Sequence, residues 1–470
     1  MSNNLNIEFI SSTRNKEQII LDKKYIYNYS HTDKEDNKIY KCSYYKTDNK
    51  CSSYIKLNRN RNITEFEDYH NHNISNKKAP RAKARSEIKK ILKDNDNPFL
   101  VKGKNIYNQA TNNLGMWIPQ YQSLRTTIQR KINKSFPKEV KDWSEIPDNH
   151  EFYTTISGEP FLLSKEENFI LFQSPSQTKI QIEYNDNIFC DATFYSAPNI
   201  CYQLLITRVY AKEFHKYFTT SFALMRNKEQ VTYEKLFNSL KNNISKYTEN
   251  DNYKPKLFHC DFEIAMSNAF IKVFPSTKVK FCLWHLGRAL EVNRKKYIKL
   301  EDENENIISL YKCVLNLAYI DDEYVIKVFD HIKHINDNNN FAQFLKYFED
   351  NYIKKFSIKS WNYFENIENT TNNCCESYNN KLSNYFDKKP TYFKLLYILR
   401  KEEDDIIKEN YRLKNGIWNS KKKIVFGRAD EKDIIVRFYE DNINELKQNN
   451  AEEGTIVGEW YKCLKRLAGR

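Results

Sequence analysis

The alternation of apolar and polar positions divides the chain into a short-strand region, a charged helical region and a long mixed region. Over residues 20–75, Tyr- and Ile-rich runs alternate with Asn, Asp and Lys turns. This predicts small strands at 25–29, 39–44, 53–57 and 63–69, with a turn over 32–38. Across 119–140, Leu124, Ile128 and Ile132 recur at i, i+4 and i+8, which predicts a helix. From Ile188 the period becomes two. Runs at 188–195, 202–210 and 217–225, with turns around Pro198-Asn199 and Ala211-Lys212, predict an antiparallel meander. Tyr233, Leu236, Phe237, Leu240 and Ile244 then mark a helical face. A fourth strand at 256–260, a helix at 264–270 and a fifth strand at 279–283 complete the order β-β-β-α-β-α-β. A helical crossover makes the fourth strand parallel to an earlier one, and if that is the first, their carboxyl ends sit side by side. Between 285 and 376 the faces are helical, for instance Phe341, Phe344, Leu345 and Phe348, and after 400 the sequence is helical and Lys-rich.

Composition narrows the partners. At 470 residues the chain has room for about two to four domains of ~100–200 residues. The hydrophobic fraction is 40% and the aromatic fraction 14%, so core formers are plentiful and a folded chain is expected. No stretch approaches the ~18–20 apolar residues of a bilayer span. The opening, Met1 to Phe9, lacks the charged-then-apolar run of a signal peptide, so neither a membrane nor secretion is expected. Lys plus Arg is 75 against Asp plus Glu 61, a net +14, which favours an anionic partner such as nucleic acid. Between Lys77 and Lys141 stand 16 Lys and Arg and four acids, so nearly the whole surplus sits in one segment. A bias toward Lys codons would raise Lys throughout the chain and not concentrate the surplus. Within the segment, Lys77, Lys78, Arg81, Lys83 and Arg85 serve equally as a nuclear-import signal or as phosphate contacts. Arg125, Arg130, Lys131 and Lys134 occupy the remaining surface of the 119–140 helix, as in a basic helix of a small DNA-binding unit or in a plain solvated helix.

Ten cysteines without a secretory signal are expected to stay reduced, with metals or core neighbours as partners. Cys190, Cys201, Cys260, Cys313 and Cys463 lie in or beside apolar runs and read as small buried hydrophobes. Cys42 and Cys51 fall in a polar, Tyr-rich stretch that runs on to His70-Asn71-His72, giving C-x8-C-x18-H-x-H. Four such ligands suffice for one tetrahedral zinc, and a sheet this small needs a metal to hold it. The H-x-H spacing sets both imidazoles on one face of an extended segment. The plain alternative is two unrelated cysteines with two histidines nearby. The stretch resembles the FLYWCH zinc finger: Tyr25-Ile26-Tyr27, Ile39-Tyr40-Lys41-Cys42, Cys51 and His70-Asn71-His72 follow that family's order, with Tyr40 where Trp is usual.

Asp191 lies within the first strand of the meander and Asp261 ends the fourth. With strands ~4.8 Å apart, two such carboxylates can share divalent ions ~3.5–4 Å apart, as two-metal phosphoryl transfer demands. Both follow apolar residues, and a carboxylate buried without a partner is expensive. For either alone a helix N-cap is the bland alternative, above all for Asp261, and Glu263 is an understudy for metal binding. Residues 180–385 resemble the transposase domain of Mutator-like elements (MULE), whose core is RNase H-like. The motifs are Asp191-Ala192-Thr193-Phe194, His259-Cys260-Asp261-Phe262-Glu263, Phe281-Cys282-Leu283-Trp284-His285 with its C-x2-H signature, and Thr370-Thr371-Asn372-Asn373-Cys374-Cys375-Glu376 onward to Leu382. The resemblance implies that Glu376 is the third acid, reached across a helical insertion. If those helices form a separate domain instead, Glu376 is a surface residue. Cys282 and His285 read as half a zinc site, or as a core thiol and a polar contact near DNA.

The resulting expectation is an α/β, α+β multidomain chain, with an RNase H-like core interrupted by an all-helical insertion. A FLYWCH-like zinc finger is expected at 1–76 and a basic helical DNA-binding region at 77–150. The core follows at 151–285, the helical insertion at 286–368, the rest of the core with the third acid at 369–400, and a C-terminal helical region at 401–470. The resemblance implies a DNA transposase acting on double-stranded element ends and target as a homo-oligomer in the nucleus. Structural Zn²⁺ would be held by Cys42, Cys51, His70 and His72. Catalytic Mg²⁺ or Mn²⁺ would be held by Asp191, Asp261 and Glu376, for strand cleavage and strand transfer. The rival is a domesticated, transposase-derived transcriptional regulator that binds DNA without cutting it.

Overall fold

Short runs of β-branched and aromatic residues separated by tight turns build the first sheet of the computed structural model. It is a meander of six antiparallel strands, each paired to the next. They are β1 (Ile7–Ser11), β2 (Glu17–Leu21), β3 (Tyr25–Thr32), β4 (Lys38–Cys42), β5 (Tyr54–Leu57) and β6 (Ile63–Glu67). The three-residue turn between β2 and β3 places Asp22 and Lys23 at φ of 50° and 60°, in the left-handed region. One face of the sheet buries Ile19, Tyr27, Tyr40, Cys42, Cys51 and Ile55. The other face offers Ile10, Ile20 and Ile26 to Ala79 on helix α1 (Lys78–Lys93). With α2 (Gly103–Thr111) and α3 (Tyr121–Lys134), α1 encloses a small core of Ala84, Ile88, Ile106, Leu124, Ile128 and Ile132.

The structure describes residues 5–12, 15–94, 102–134, 137–248, 253–299, 304–365, 367, 373–386, 389–418 and 428–469. The chain divides into two compact units, Met1–Glu139 and Val140–Arg470. Among the described residues no helix is long and apolar enough to cross a membrane.

The second unit is built on a seven-stranded mixed sheet. Its strands are β7 (Leu162–Lys165), β8 (Phe169–Phe172), β9 (Asn187–Thr193), β10 (Gln203–Ala211), β11 (Lys216–Met225), β12 (Leu257–Cys260) and β13 (Lys278–Phe281). In space the order is β13-β12-β9-β10-β11-β8-β7. The meander β9-β10-β11 is antiparallel, while β12 lies parallel to both β9 and β13. Helix α4 (Pro175–Glu183) precedes β9 behind a capping box of Ser174 and Gln177, and α5 (Gln230–Ile244) and α6 (Ile264–Val273) make the crossovers. Their apolar stripes pack on one face of the sheet with Ile188, Cys190, Phe258 and Cys260.

After β13 the described elements are helical: α7 (Leu283–Tyr297), α8 (Glu305–Asn316), α9 (Val325–Ile335), α10 (Asn339–Phe348) and α11 (Ile358–Trp361), then α12 (Asn373–Ser383) and α13 (Tyr392–Lys414). The final pair, α14 (Arg428–Gln448) and α15 (Glu453–Ala468), pack together, and α15 inserts Trp460, Cys463 and Leu464 against α8 and α9. The chain is thus mixed α/β, with a β-rich sheet at its N-terminus and a helical C-terminal region.

Several expected ends move inward: 39–44 becomes Lys38–Cys42, 63–69 becomes Ile63–Glu67, and the 119–140 helix becomes Tyr121–Lys134. Strands β1, β2, β7 and β8 and helices α1, α2 and α4 are additions to the individual elements the pattern predicts, with α1 and α2 inside the segment expected to be helical. Phe258 on β12 is fully buried, stacked on Phe270 at 3.7 Å and edge-on to Phe237 at 5.9 Å. Phe258→Ala is expected to lower the unfolding free energy of the second unit by about 3–5 kcal/mol, read from urea titration of the full chain.

Candidate functional site

The first cluster forms where β4 and the chain beyond β6 meet. Cys42 ends β4, Cys51 lies in the following loop, and His70 and His72 come three and five residues after β6. Their ligand atoms lie within 4.8 Å of one another. Cys42 Sγ stands 3.3 Å from His72 Nε2, Cys51 Sγ 3.4 Å from His70 Nδ1, and His70 Nδ1 3.1 Å from His72 Nε2. Zinc bonds of ~2.0–2.3 Å in a tetrahedron need edges of roughly 3.3–3.8 Å, so the residues fit a single zinc. The histidines lie in a bend rather than on a strand, and they converge through different ring nitrogens. Tyr25 stacks on His70 at 3.7 Å and Tyr44 on His72 at 4.1 Å, while the Tyr27 hydroxyl meets His70 Nε2 at 3.0 Å. Such contacts fix ring orientation around a metal. Burial pushes the Cys42 thiol up to about 11, with Cys51 adding to it, so a metal bound here must displace protons.

The second cluster is set by strand alternation. Cys190 and Cys260 enter the core under α5 and α6, so the next residues, Asp191 and Asp261, turn toward the opposite face. The parallel register pairs His259 with Phe189; Asp191 stands two residues farther along β9, and Asp261 follows the last residue of β12. Helix α12 packs on β9 and brings up Glu376 in its first turn. One turn later, Asn379 donates its amide to Asp191 Oδ2 at 2.7 Å. Arg208 on β10 holds the helix: its guanidinium donates to the carbonyls of Cys374 and Tyr217 and lies 4.8 Å from the centre of the Tyr378 ring. Neither Asn379 nor Arg208 stands out in the sequence. Asn379 lies three residues after Glu376, on the same helix face, a spacing that could have flagged it.

His285, near the start of α7, completes the group. Its Nδ1 lies 2.7 Å from Asp261 Oδ1 and 3.7 Å from Glu376 Oε1. Asp261 Oδ1, His285 Nδ1, Glu376 Oε1 and Asn379 Oδ1 are buried polar atoms without a directed hydrogen bond, and the first three lie together around the imidazole. A cation would satisfy the two carboxylate oxygens of this set, the hard donors that Mg²⁺ or Mn²⁺ takes. Asp191 is 6% exposed. Burial first, then the Asp261 charge, raises its pKa well above the usual carboxylate range. Burial would lower the His285 pKa, but contact with Asp261 and Cys282 outweighs it and holds the imidazole up to about 10. Asp261, Cys282 and His285 also bring one ligand atom each within 4.8 Å.

The plainer readings fare differently. Asp261 does not cap α6, whose N-cap position is Glu263. Glu263 itself is engaged by the Tyr233 hydroxyl at 2.7 Å and by Lys228 at 3.2 Å. Thr370, Thr371 and Asn372 lie outside the described residues. Of the basic positions, Lys77 precedes α1, while Lys78, Arg81, Lys83 and Arg85 lie on it; Arg125, Arg130, Lys131 and Lys134 lie on α3. Lys83 is paired with Glu8 at 2.5 Å.

The acids on and just beyond adjoining parallel strands, and the four-ligand finger before them, decide the comparison with known families. Residues 187–288 match the MULE transposase domain. Residues 9–72 match the FLYWCH zinc finger domain, which spans all four candidate zinc ligands. No curated protein matches the chain. The MULE domain match supports a transposase-related function; it takes in Asp191, Asp261, Cys282 and His285 but stops short of Glu376. The FLYWCH match and the Cys/His geometry together point to structural zinc. Purified protein is expected to carry about one zinc per chain. Cys42→Ser should reduce that to near zero and unfold the finger sheet, because metal-binding energy here is folding energy. Metal analysis and circular dichroism check both, and an unchanged zinc content would remove Cys42 from the site.

Proposed function

We propose that the chain is a DNA transposase of the Mutator-like type, with an Asp-Asp-Glu site on an RNase H-like core into which the helices after β13 are inserted. What supports this reading is that Asp191 feels the charges of Asp261 and Glu376, while Asp261 Oδ1 and Glu376 Oε1 are buried beside one imidazole. The strand order supports the core assignment: an antiparallel meander followed by two parallel strands joined through helices.

Asp191 and Asp261 supply carboxylates from neighbouring strands, and Glu376 supplies the third from α12. These three carboxylates would hold Mg²⁺ or Mn²⁺, whose chemistry would be to activate the attacking oxygen and to neutralise charge on the leaving one. Asn379 fixes the Asp191 carboxylate and Arg208 fixes the helix that carries Glu376. His285, protonated beside Asp261 and Glu376, offsets the mutual repulsion of the acids and holds a proton within reach of the reacting oxygens. In this reading the FLYWCH finger and the basic face of α1 and α3 hold double-stranded element ends and target. The protein works as a homo-oligomer on DNA in the nucleus.

Wild type and Glu376→Gln should be compared in Mg²⁺ on DNA bearing the element's own ends. Cleavage is expected to fall by about 10²–10³ or more, as on losing a principal charge-stabilising group, with duplex binding retained. Equal cutting by both would remove Glu376 from the site. No cutting by wild type with any divalent ion, alongside retained binding, would favour the domesticated regulator.

A further inference from the structure

Where α1 crosses the finger sheet it packs through small residues. Ala79 meets Ile10, Ile20 and Ile26, and Ala82 packs beside them. Side chains this small leave an open cavity of about 410 Å³ beside the helix. Lys78, Arg81 and Arg85 line it from α1, and Ser11, Gln18 and Asn28 line it from the strands. The three cations stand at i, i+3 and i+7, one stripe of the helix. Gln18 and Asn28 are register partners on β2 and β3 and hydrogen-bond to each other at 2.5 Å. Among the described residues no acid lines the cavity.

Some cations of this unit are neutralised by carboxylates, while among the described residues those lining the cavity are not. Lys38 and Arg61 pair with Glu17, Lys56 with Asp33, Arg59 with Asp36, and Lys83 with Glu8. Among the described residues, Arg81 and Arg85 face no carboxylate in a salt bridge. Arg85 Nε is buried without an acceptor, a costly state for a charged donor unless a ligand supplies one. Burial, then the neighbouring Arg81, lowers the Arg85 pKa, as expected of a cation awaiting an anion. Lys78 sits 3.4 Å from the centre of the Tyr44 ring, which stacks on His72, so the stripe is braced on the candidate zinc ligands.

We propose that this cavity is a phosphate-binding site that seats a backbone phosphodiester of duplex DNA between α1 and the finger sheet, gripped by Arg81 and Arg85. Guanidinium forks match the paired oxygens of a phosphate, and the amide and hydroxyl groups opposite suit its ester oxygens. The proposal rests on the reading of the chain as a DNA-binding protein. It goes beyond that reading by selecting two arginines from a broad basic segment and adding polar partners from β1, β2 and β3.

The test uses the full chain and a labelled duplex, with affinity measured against sodium chloride concentration. Removing one phosphate contact flattens the log–log salt slope by about 0.9. Arg81→Gln and Arg85→Gln should each do so, and the double variant should flatten it by about twice as much. Arg59→Gln, on a distant turn, should leave the slope as in wild type. At matched ionic strength, inorganic phosphate should displace duplex from wild type better than chloride does, and the double variant should lose that difference. Zinc content checks folding; Arg81 is exposed, so Arg81→Gln against Arg59→Gln decides the matter even if Arg85→Gln fails to fold. Wild-type slope in the double variant, or in Arg81→Gln, would overturn the site. Competition by inorganic phosphate with an unchanged slope would make it a free-phosphate site and overturn the DNA assignment. Wild type that binds no duplex at any salt would defeat the DNA-binding reading itself, whereas binding with an unchanged slope defeats the cavity alone.

Discussion

Two carboxylates, Asp191 on β9 and Asp261 just past the end of the adjoining parallel strand β12, repel each other, and their surroundings are organised around that repulsion. The pairing of β12 with β9 fixes their proximity, and neither can turn away without dragging Cys190 or Cys260 out of the core. The Asn379 amide and the backbone N–H of Ala192 stabilise Asp191, and an imidazolium approaches Asp261. These partners do not suffice, because burial and the Asp261 charge still raise the Asp191 pKa. A group whose folded pKa is raised contributes stability below its unfolded value and loses it as pH climbs through the folded one. The bare cluster therefore disfavours the folded state as the medium becomes more alkaline, and a bound cation relieves the same strain that a proton relieves in acid.

The finger solves a different problem. A six-stranded meander of short strands has little core, and its inner face holds two thiols, of which Cys42 is kept from ionising by its burial. Metal ligation would turn these weak points into the cross-link that ties β4 to the segment beyond β6. The outer face is not left to solvent either, because α1 covers Ile10, Ile20 and Ile26. The basic helix is thus part of the finger's own packing, and its cations are held in fixed places rather than strung along a tether.

Legibility follows the strength of local pattern. The β9-to-β13 order is readable because each strand is a clear apolar run and the crossover demands a parallel fourth strand. Strands β7 and β8 escape the pattern because they are only four residues each, too short for alternation to register. Strands β1 and β2 precede the first Tyr-rich run, where nothing in the pattern stands out. Helix α1 is hidden by its own charge: Ala79, Ala84 and Ile88 are its buried positions, and small residues among so many Lys and Arg carry little periodic signal. Glu376 is reached through motif resemblance, since no local pattern marks a carboxylate whose partners lie 91 to 185 residues upstream.

Long-range hydrogen bonds explain what sequence alone could not supply. Arg208 reads as an ordinary strand residue, yet its guanidinium joins the Cys374 carbonyl to the Tyr217 carbonyl and so sets where α12 lies on the sheet. Asn379 then couples that helix to Asp191 directly. The position of Glu376 is therefore determined twice over, by an arginine that anchors the backbone just before it and by an amide one turn after it. Such double determination is what a cation-binding site requires, because mutually repelling carboxylates relax apart wherever the scaffold leaves one of them free. Against this, Asp261 Oδ1 and Glu376 Oε1 share only the one His285 imidazole, at 2.7 and 3.7 Å. The fold thus holds three acids together with a single imidazole to offset their charge, an electrostatic condition under which a divalent ion gains by binding.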